Sequence, residues 1–258
     1  MDLGIKGKTA VVTGGATGIG EAAALLFLEE GCNVAVCGRR QEKLDEFLGK
    51  ADSLGYKNVF AKSVDVSGKT EIFDFTDEVA ARFGSVDIFV NNAGGAVSGA
   101  LMELTEEQWD KANALNLLGT WRGCKAAYKH MKGRGGAIVN ISSFATVIPS
   151  AGSGMYNVNK TAINSLTITL AAEIAKDNIR VNAVIPGRIA TPMTYAANEG
   201  DEKFYTDPVA LGRFGYPDDL AGGIVFLCSE AAKYITGELL VISGGKYLVQ
   251  NQARFEGR

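Results

Sequence analysis

Histidine is almost absent from this chain of 258 residues, which contains only His130. A serine hydrolase with a histidine base would have to use that one residue, and a metal site built from several histidines is excluded. His130 lies among lysines near the end of a predicted helix, so we expect it to be solvated rather than catalytic. The sequence therefore points away from both chemistries, and we expect no metal.

Cysteines and long apolar runs are also scarce. The four cysteines form no C-x-x-C pair and are too sparse for a disulfide scaffold. Reduced thiols in a cytoplasmic protein are the simplest interpretation. No apolar run approaches the ~18 residues of a membrane span, and residues 1–8 lack the apolar region of a secretory signal. We therefore expect a cytoplasmic protein with no membrane partner.

The charge balance gives no indication of a nucleic-acid partner, because the net charge is −3. Hydrophobic residues make up 47% of the chain and charged residues 21%, which is ordinary for a globular protein. The length suffices for one large α/β domain with a substantial core. Since the sequence has no internal repeat and no linker, we expect a single domain over residues 1–258.

A glycine-rich turn lies between the first predicted strand and the first predicted helix. Residues 8–12, Lys-Thr-Ala-Val-Val, form a short β-branched run, and Gly14, Gly18 and Gly20 follow before a helix over residues 21–30. Such a turn brings backbone N–H groups and the positive end of a helix towards a phosphate. The spacing is G-x-x-x-G-x-G, which differs from the general dinucleotide pattern G-x-G-x-x-G. Its place in the chain predicts a dinucleotide site.

The end of the second strand determines which dinucleotide is preferred. An acidic residue there would bind the ribose hydroxyls of NAD, whereas this chain has Gly38 followed by Arg39 and Arg40. The two arginines suit a 2′-phosphate, so the sequence favours NADP(H) over NAD(H), with Arg39 the stronger candidate because it is nearer the strand. The alternative is that both arginines simply open a solvated loop.

Tyr156 and Lys160 are four residues apart in a predicted helix, so their side chains lie one turn apart on one face. A free phenol has a pKa of about 10, and a nearby ammonium group lowers that value towards neutrality. Such a pair suits proton exchange with an alcohol or ketone. Ser143 precedes this helix and is placed to hydrogen-bond the same substrate oxygen. The alternative is an ordinary helix, because this spacing is common by chance.

Strand-like and helix-like segments alternate along the rest of the chain, which argues for a parallel sheet covered on both faces. The irregular segment 188–216 predicts a substrate-binding loop. The predicted strands are 8–12, 33–37, 59–66, 86–90, 136–141, 180–185 and 238–243. The predicted helices are 21–30, 41–54, 69–83, 105–132, 153–177 and 217–229.

Polar residues at other strand ends and within one helix are further candidates. Asp65 and Val66 lie at the carboxyl end of the third predicted strand, where an aspartate can meet an adenine. The segment 91–95, Asn-Asn-Ala-Gly-Gly, lies at the carboxyl edge of the predicted sheet, where ligands of such folds bind. Asn116 falls inside a predicted helix. It is either a solvated residue or a buried one that needs partners and marks a functional kink.

Taken together, these motifs closely resemble the short-chain dehydrogenase/reductase family over essentially the whole chain. The resemblance implies a Rossmann-type, doubly wound parallel sheet of seven strands with helices on both faces. It also implies a catalytic tetrad of Asn116, Ser143, Tyr156 and Lys160, with Ser143 chosen over Ser142 because it lies thirteen positions before the tyrosine. The motifs that carry the resemblance are 13–20, 91–94, Asn116, Ser143, Tyr156 with Lys160, and 186–187.

The motifs and the resemblance together predict a cofactor site. The family resemblance places Asn91 in the cleft wall and Ile189 and Thr191 at the nicotinamide. Two departures stand out: Thr17 replaces a basic residue that some NADP-using members carry, and Ser243 begins a Ser-Gly-Gly where Asp-Gly-Gly is frequent. The full predicted set is Gly14, Thr17, Gly18, Ile19, Gly20, Arg39, Arg40, Asp65, Val66, Asn91, Ala93, Gly94, Tyr156, Lys160, Pro186, Gly187, Ile189 and Thr191.

The resulting hypothesis is reversible hydride transfer between NADP(H) and a ketone or secondary alcohol. Tyr156 would donate the proton, Lys160 would lower its pKa and hold the ribose, and Asn116 would support a water chain. One alternative is an enoyl-thioester reductase of the same family, although the intact Ser–Tyr–Lys set favours carbonyl chemistry. A protein that senses NADP(H) without turnover is another, and a purely structural role is a third.

The substrate and the assembly are less closely specified. The predicted pocket walls are small or apolar, which favours a medium-sized ketone such as a steroid, an acyl chain or a cyclic alcohol. Arg188 and Arg213 are candidates to meet one acidic group. The resemblance implies a homotetramer, or a dimer, formed through the helices 105–132 and 153–177.

Overall fold

A seven-stranded parallel sheet forms the centre of the fold, in a computed structural model that describes residues 2–96, 99–149, 151–192, 194, 206–246 and 248. The strand order is β3-β2-β1-β4-β5-β6-β7, and every neighbouring pair is parallel. This confirms the predicted doubly wound sheet. The strands are β1 (Thr9–Thr13), β2 (Asn33–Gly38), β3 (Val59–Ser63), β4 (Ile88–Asn91), β5 (Gly136–Ile141), β6 (Ile179–Pro186) and β7 (Leu239–Ile242).

Helices cover both faces of the sheet. Alternate residues of each strand enter two cores, so that Val12 and Val90 pack on one face and Val11 and Phe89 on the other. Helices α1, α2 and α7 bury their apolar sides in the first core, and α3, α5 and α6 in the second. The helices are α1 (Gly18–Glu29), α2 (Gln41–Ser53), α3 (Glu71–Phe83), α4 (Glu106–Asn113), α5 (Gly119–Met131), α6 (Met155–Ile174) and α7 (Pro217–Cys228).

The order of the strands reverses at β1, which pairs with both β2 and β4. In open α/β sheets, ligands bind in the crevice at the carboxyl ends of the strands beside such a reversal. The two loops that border this crevice are tied together. The Thr13 hydroxyl accepts hydrogen bonds from Asn92 N and Ala93 N, each at 3.0 Å, and Asn92 Nδ2 donates to Thr13 O at 3.0 Å.

The predicted helix 105–132 is not continuous. A π-helical segment, Ala114–Leu118, separates α4 from α5, and Asn116 lies in this segment with no exposed surface. Its side-chain amide donates to Gly95 O at 2.9 Å and to Ala112 O at 3.0 Å. A buried amide that needs partners outside its own helix explains the interruption.

The third strand is shorter than predicted. Strand β3 ends at Ser63 rather than at residue 66, because Asp65 N donates to the Glu71 carboxylate at 2.7 Å instead of to the neighbouring strand. Residues 193 and 195–205 of the predicted loop 188–216 lie outside the described residues. Across the part of the chain that is described, no helix combines the length and apolar character that a membrane span requires.

Candidate active site

One cleft of about 620 Å³ lies at the carboxyl edge of the sheet. Each of the strands β1 to β6 contributes to its lining at or just beyond its carboxyl end, so residues far apart in sequence meet there. Most predicted site residues lie in this wall. They are Gly14, Thr17, Gly18, Ile19, Arg39, Arg40, Asp65, Val66, Ala93, Gly94, Ser143, Tyr156, Lys160, Pro186, Gly187, Ile189 and Thr191.

The glycine turn presents backbone to the cleft. Gly14 and Gly18 have φ values of +63° and +57°. A residue with a side chain would be strained in this conformation, so glycine is favoured at both positions. Helix α1 begins at Gly18, and its N-cap residue Thr17 makes no side-chain capping bond. Since the first N–H groups of a helix need partners, this end suits an anion such as a pyrophosphate.

Gly20 does not line the cleft, although we predicted it to bind cofactor. A Cβ atom there would lie 2.4 Å from Gly14 O and 2.5 Å from Asn92 Nδ2. Glycine is therefore required at this position for close packing between the turn, α1 and the loop after β4. Its role is to shape the site from behind.

The end of the cleft beyond β2 is basic at its rim. Arg39 and Arg40 are exposed and line it, and so does Lys43 in the first turn of α2, although its ammonium is paired with the Glu46 carboxylate at 2.7 Å. Asp65 lies on the same wall: burial would raise its pKa, but hydrogen bonds from Ser67 and the charge of Arg39 lower it on balance. This arrangement fits a nucleotide with an additional phosphate on its ribose.

Ser143 and Tyr156 meet at the other end of the cleft. Ser143 follows β5, caps a short 3-10 turn by accepting from Ala145 N at 3.2 Å, and lies close enough to Tyr156 to oppose the rise of its pKa. Tyr156 lies in the first turn of α6. Two hydroxyl groups therefore converge where a substrate oxygen can accept from both.

Lys160 is buried beneath this pair, with 4% of its surface exposed. Its Nζ donates to Ile141 O at 2.6 Å and lies 5.7 Å from the centroid of the Tyr156 ring. Burial lowers the pKa of Lys160 to about 8. The lysine is therefore anchored to the strand that leads to Ser143.

The expected lowering of the tyrosine pKa by the lysine is not what the structure gives. Burial raises the pKa of Tyr156, and the nearby Ser143 opposes this only in part. The physical reason is that desolvation of the phenolate outweighs the other effects in this cleft, while the Lys160 ammonium is directed at Ile141 O.

Asn116 lies behind the cleft wall and does not line it. It accepts from Gly95 N at 3.1 Å while its amide donates back to Gly95 O. A Cβ atom on Gly94 would lie 2.9 Å from Asn116 Oδ1 and 3.5 Å from Lys160 Nζ. Asn116 and Lys160 therefore pack against one glycine, and Asn116 fixes the wall beside the lysine.

Asn91 also lies outside the cleft lining. It is buried and donates to Asn140 Oδ1 at 2.9 Å and to Cys124 Sγ at 3.3 Å. Strand alternation explains this, because Asn91 shares the face of β4 that carries Phe89 and is covered by α5. The next residue, Asn92, lines the cleft instead, which the alternation of β4 would have indicated.

Further lining residues are neighbours of the predicted motifs, and most of them are small or apolar and give no signal in the sequence. They complete the backbone walls around the glycine turn, the β2 end and Ser143. They are Ala16, Gly38, Lys43, Leu44, Val64, Asn92, Gly95, Leu115, Ile141, Ser142, Pro192 and Thr194.

Comparison with known proteins agrees with this geometry. The sequence model of a family described as Enoyl-(Acyl carrier protein) reductase matches residues 14–246. The chain is 37% identical to the 3-oxoacyl-[acyl-carrier-protein] reductase FabG of Chlamydia pneumoniae over 246 residues, covering 95% of this chain and 99% of the relative. It is also 37% identical to the 3alpha-hydroxysteroid dehydrogenase of Mediterraneibacter gnavus over 247 residues, which cover 95% and 98% of the two chains.

A solved structure matches over the same extent. A short-chain type dehydrogenase/reductase from Mycobacterium marinum superposes with a TM-score of 0.90 and 32% identity, covering 95% of this chain and 98% of the other. The matches therefore extend over nearly the whole chain, including the segments that form the sheet, the cleft and the pair of Ser143 and Tyr156. This protein belongs to the short-chain dehydrogenase/reductase family.

Proposed function

We propose that this enzyme transfers hydride reversibly between NADP(H) and a ketone or secondary alcohol. The observation that carries the proposal is that Ser143 and Tyr156 line one end of the cleft together, with Lys160 buried beside them. At the other end lie the glycine turn and the two arginines, which fit a phosphorylated dinucleotide. A bound nicotinamide would supply the hydride in reduction and accept it in oxidation.

Tyr156 is the proposed general acid in reduction. Because burial raises its pKa, the hydroxyl is protonated near neutral pH and can donate to the substrate oxygen as negative charge develops there. The Ser143 hydroxyl orients the same oxygen through its own hydrogen bond. In oxidation Tyr156 would begin as the tyrosinate, accept the hydroxyl proton of the alcohol and so return to the protonated state, while the hydride leaves to the nicotinamide.

Lys160 is the proposed source of a proton for the tyrosinate that remains after proton donation. Its Nζ lies 5.7 Å from the centroid of the Tyr156 ring, and its charge does not offset the desolvation of the phenolate. A pKa of about 8 allows Lys160 to pass a proton to the phenolate near neutral pH. Contact between Lys160 and the cofactor ribose, and a water chain supported by Asn116, stay predictions.

The preference for NADP(H) rests on the β2 end. Gly38 provides no carboxylate for ribose hydroxyls, and Arg39 and Arg40 stand beside it at the rim. The guanidinium group binds phosphate in a planar, bidentate geometry. Thr17 adds no positive charge, so the preference depends on these arginines.

The relatives narrow the substrate class. The names of two relatives at 37% identity specify a 3-oxoacyl thioester and a hydroxysteroid. We propose that this enzyme acts on one of these two kinds of compound. The described residues of the substrate end that follow Ser143, among them Phe144, Val147 and Ile148, are largely apolar, in keeping with either.

Enoyl-thioester reduction is the second candidate, since the matching family is described by that activity. The two chemistries differ in which group accepts the proton. In a ketone the acceptor is the oxygen at which Ser143 and Tyr156 converge, whereas an enoyl thioester takes its proton on carbon. The intact hydroxyl pair therefore favours the ketone.

The test is NADPH oxidation by the purified protein with matched acyl thioesters and with steroids. We expect turnover of 3-oxo compounds and none of the corresponding enoyl thioester. Turnover of the enoyl thioester alone would select the second candidate. Tight NADPH binding without turnover of any compound would leave a sensing protein and contradict the proposal.

We also propose a homotetramer, or a dimer, that forms through α5 and α6. Trp121 on α5 and Val158 and Ile168 on α6 are large apolar residues exposed by 41%, 42% and 50%. Light scattering tests this directly, since a monomer would contradict it.

We further propose that the whole chain, residues 1–258, forms one domain, with residues 188–216 over the substrate. The four buried free thiols suit a cytoplasmic location.

A further inference from the structure

A turn beyond the end of β3 forms part of the cleft wall. Asp65 and Val66 line the cleft just after this strand. Gly68 N donates to Asp65 O at 3.0 Å and closes the turn, which we call the Asp65 turn (residues 65–68). The contacts that hold this turn therefore determine the shape of that part of the wall.

The Asp65 turn lies at the same end of the cleft as Arg39. Strands β2 and β3 are neighbours in the sheet, and Val64 N donates to Gly38 O at 3.0 Å where both strands end. Ser63 Oγ donates to Arg39 O at 3.3 Å. Because Arg39 is the residue proposed to bind the 2′-phosphate, the turn belongs to the end that would hold the adenosine of the cofactor.

The carboxylate of Asp65 is fixed from within the turn. Its Oδ1 accepts from Ser67 N at 2.9 Å and from Ser67 Oγ at 2.7 Å. The Asp65 N–H donates to the carboxylate of Glu71, the first residue of α3, at 2.7 Å. Ser67 thus orients the carboxylate, while Glu71 holds the backbone.

Ser67 is itself held by a residue that is distant in sequence. The guanidinium of Arg122, on α5, donates from Nη1 to Ser67 O at 3.0 Å. Arg122 is partly buried. Among the residues that the structure describes, Ser67 O is the only hydrogen-bond acceptor of this guanidinium. The contact of Arg122 with the turn is therefore specific.

The helix that carries Arg122 has a fixed position beside the turn. Lys129, two helical turns further along the same face of α5, donates to both carboxylate oxygens of Asp77 on α3, at 2.7 and 2.8 Å. A Cβ atom on Gly119, the first residue of α5, would lie 3.2 Å from Val66 Cγ2 and 3.3 Å from Val66 O. The first turn of α5 therefore packs directly on the cleft wall.

We propose that Arg122 is a positioning residue for cofactor binding: through Ser67 it holds the Asp65 carboxylate where that group meets the adenosine of NADP(H). The inference rests on the proposed function and adds to it a residue outside the cleft lining. A charge-assisted hydrogen bond to a partly buried carbonyl is stronger than a neutral one, so its loss should loosen the turn. Ser143 and Tyr156 lie at the other end of the cleft, so the chemical step should not depend on Arg122.

The test compares wild type with Arg122→Met, which keeps an apolar stem and a good helix former but removes the charge. Dissociation constants are measured by calorimetry for NADPH, NADH, adenosine 2′,5′-bisphosphate and reduced nicotinamide mononucleotide. We expect the first three to bind about three- to tenfold more weakly, because each contains the adenosine, and the mononucleotide to bind within about twofold of wild type. The value of kcat at saturating NADPH should also stay within about twofold.

Two further variants and one further measurement separate this role from a general structural one. Arg122→Lys keeps a donor, and since only Nη1 bonds Ser67 O, it should retain most of the affinity. Arg134→Met removes an exposed arginine beyond the far end of α5 and should leave all four constants unchanged. In the protein without cofactor, the amides of residues 65–68 should exchange hydrogen at least about threefold faster in Arg122→Met, while those of β3 do not change.

Three results would overturn the inference while leaving the proposed function intact. One is unchanged affinity of Arg122→Met for NADPH. Another is an equal loss for the mononucleotide and the adenosine bisphosphate, as expected if Arg122 supports the whole cleft. The third is an Arg122→Met variant that does not fold, because Arg122 would then stabilise the fold rather than the site.

The proposed function fails in a different way. If wild type has no affinity for NADPH, both the proposed function and this inference are overturned. If NADPH binds with the expected pattern across the variants but no ketone is reduced, the positioning role of Arg122 is supported and the proposed reaction alone is contradicted.

Discussion

The Nζ of Lys160 donates a hydrogen bond of 2.6 Å to Ile141 O, and it lies 5.7 Å from the ring centroid of Tyr156. The lysine thus links the end of β5, which leads to Ser143, with the helix that carries the tyrosine. Its ammonium group is desolvated, and this lowers its pKa to about 8. The site therefore places a charge where it destabilises the free protein, as catalytic sites frequently do.

This cost can be measured through the pH dependence of stability. The pKa of Lys160 is about 8 in the folded protein and 10.5 when unperturbed. At pH values below about 8 the lysine is protonated in both the folded and the unfolded state, so the full free-energy cost of burying its charge is present. Between the two values the unfolded state binds more protons, so the unfolding free energy rises with pH, by up to about 3 kcal/mol.

Lys160→Met provides the comparison. We expect the unfolding free energy of wild type relative to this variant to increase between about pH 7 and about pH 10, as measured by urea unfolding. Other titrating groups are common to both proteins and largely cancel in the difference. Parallel curves for the two proteins would show that Lys160 is not desolvated.

Replacement of Arg39 tests the cofactor preference. Arg39→Ala should raise KM for NADPH by about tenfold or more, the value of one charge-assisted contact with phosphate, and should change KM for NADH by less than about twofold. Arg40→Ala, at the next position on the rim, is the matched variant and should have the smaller effect. Equal changes in KM for NADPH and NADH would show that the arginines only open a solvated loop and do not bind a phosphate.

Gly20 and Gly49 provide a matched test of the glycine turn. Both lie in helices, but a Cβ at Gly20 meets Gly14 O at 2.4 Å, whereas a Cβ at Gly49 meets nothing within 4 Å. Gly20→Ala should destabilise the protein by about 1–3 kcal/mol through overpacking. Gly49→Ala should stabilise it by up to about 1 kcal/mol, because alanine favours helix. Similar unfolding midpoints for the two variants would contradict the packing described.

Asn116→Ala should be strongly destabilising. It removes the acceptor of Gly95 N and the donor to Gly95 O and Ala112 O from a fully buried position. We expect a loss of about 2–4 kcal/mol in denaturant unfolding, since each buried unsatisfied group costs about 1–3 kcal/mol. Asn58→Ala removes an exposed asparagine and should change stability by less than about 0.5 kcal/mol. A tolerated Asn116→Ala would mean that Gly95 is held by other contacts.

Much of the fold follows from local sequence. The hydrophobic periodicity that distinguishes strands from helices is carried by residues close together in sequence. All seven strands form close to the positions that this periodicity predicts. The position of the site also follows, because the carboxyl ends of parallel strands lie on one edge and the motifs fall at those ends. Hence most of the predicted cofactor residues do line the cleft.

What the sequence could not specify depends on three-dimensional packing. Residue spacing places Tyr156 and Lys160 on one helix face, but it does not give the depth of burial, which decides the direction of the tyrosine pKa. The role of Asn116 depends on Gly95, a residue 21 positions away that only the folded sheet brings near. The direction of Asn91 depends on which face of β4 is covered by α5.

The central claim is that Tyr156 supplies the proton. The most direct measurement is the steady-state rate of ketone reduction by Tyr156→Phe at saturating NADPH, alongside the dissociation constant of NADPH from the same variant. We expect kcat to fall by at least about 100-fold, with NADPH binding within about twofold of wild type. Turnover at the wild-type rate would contradict the account.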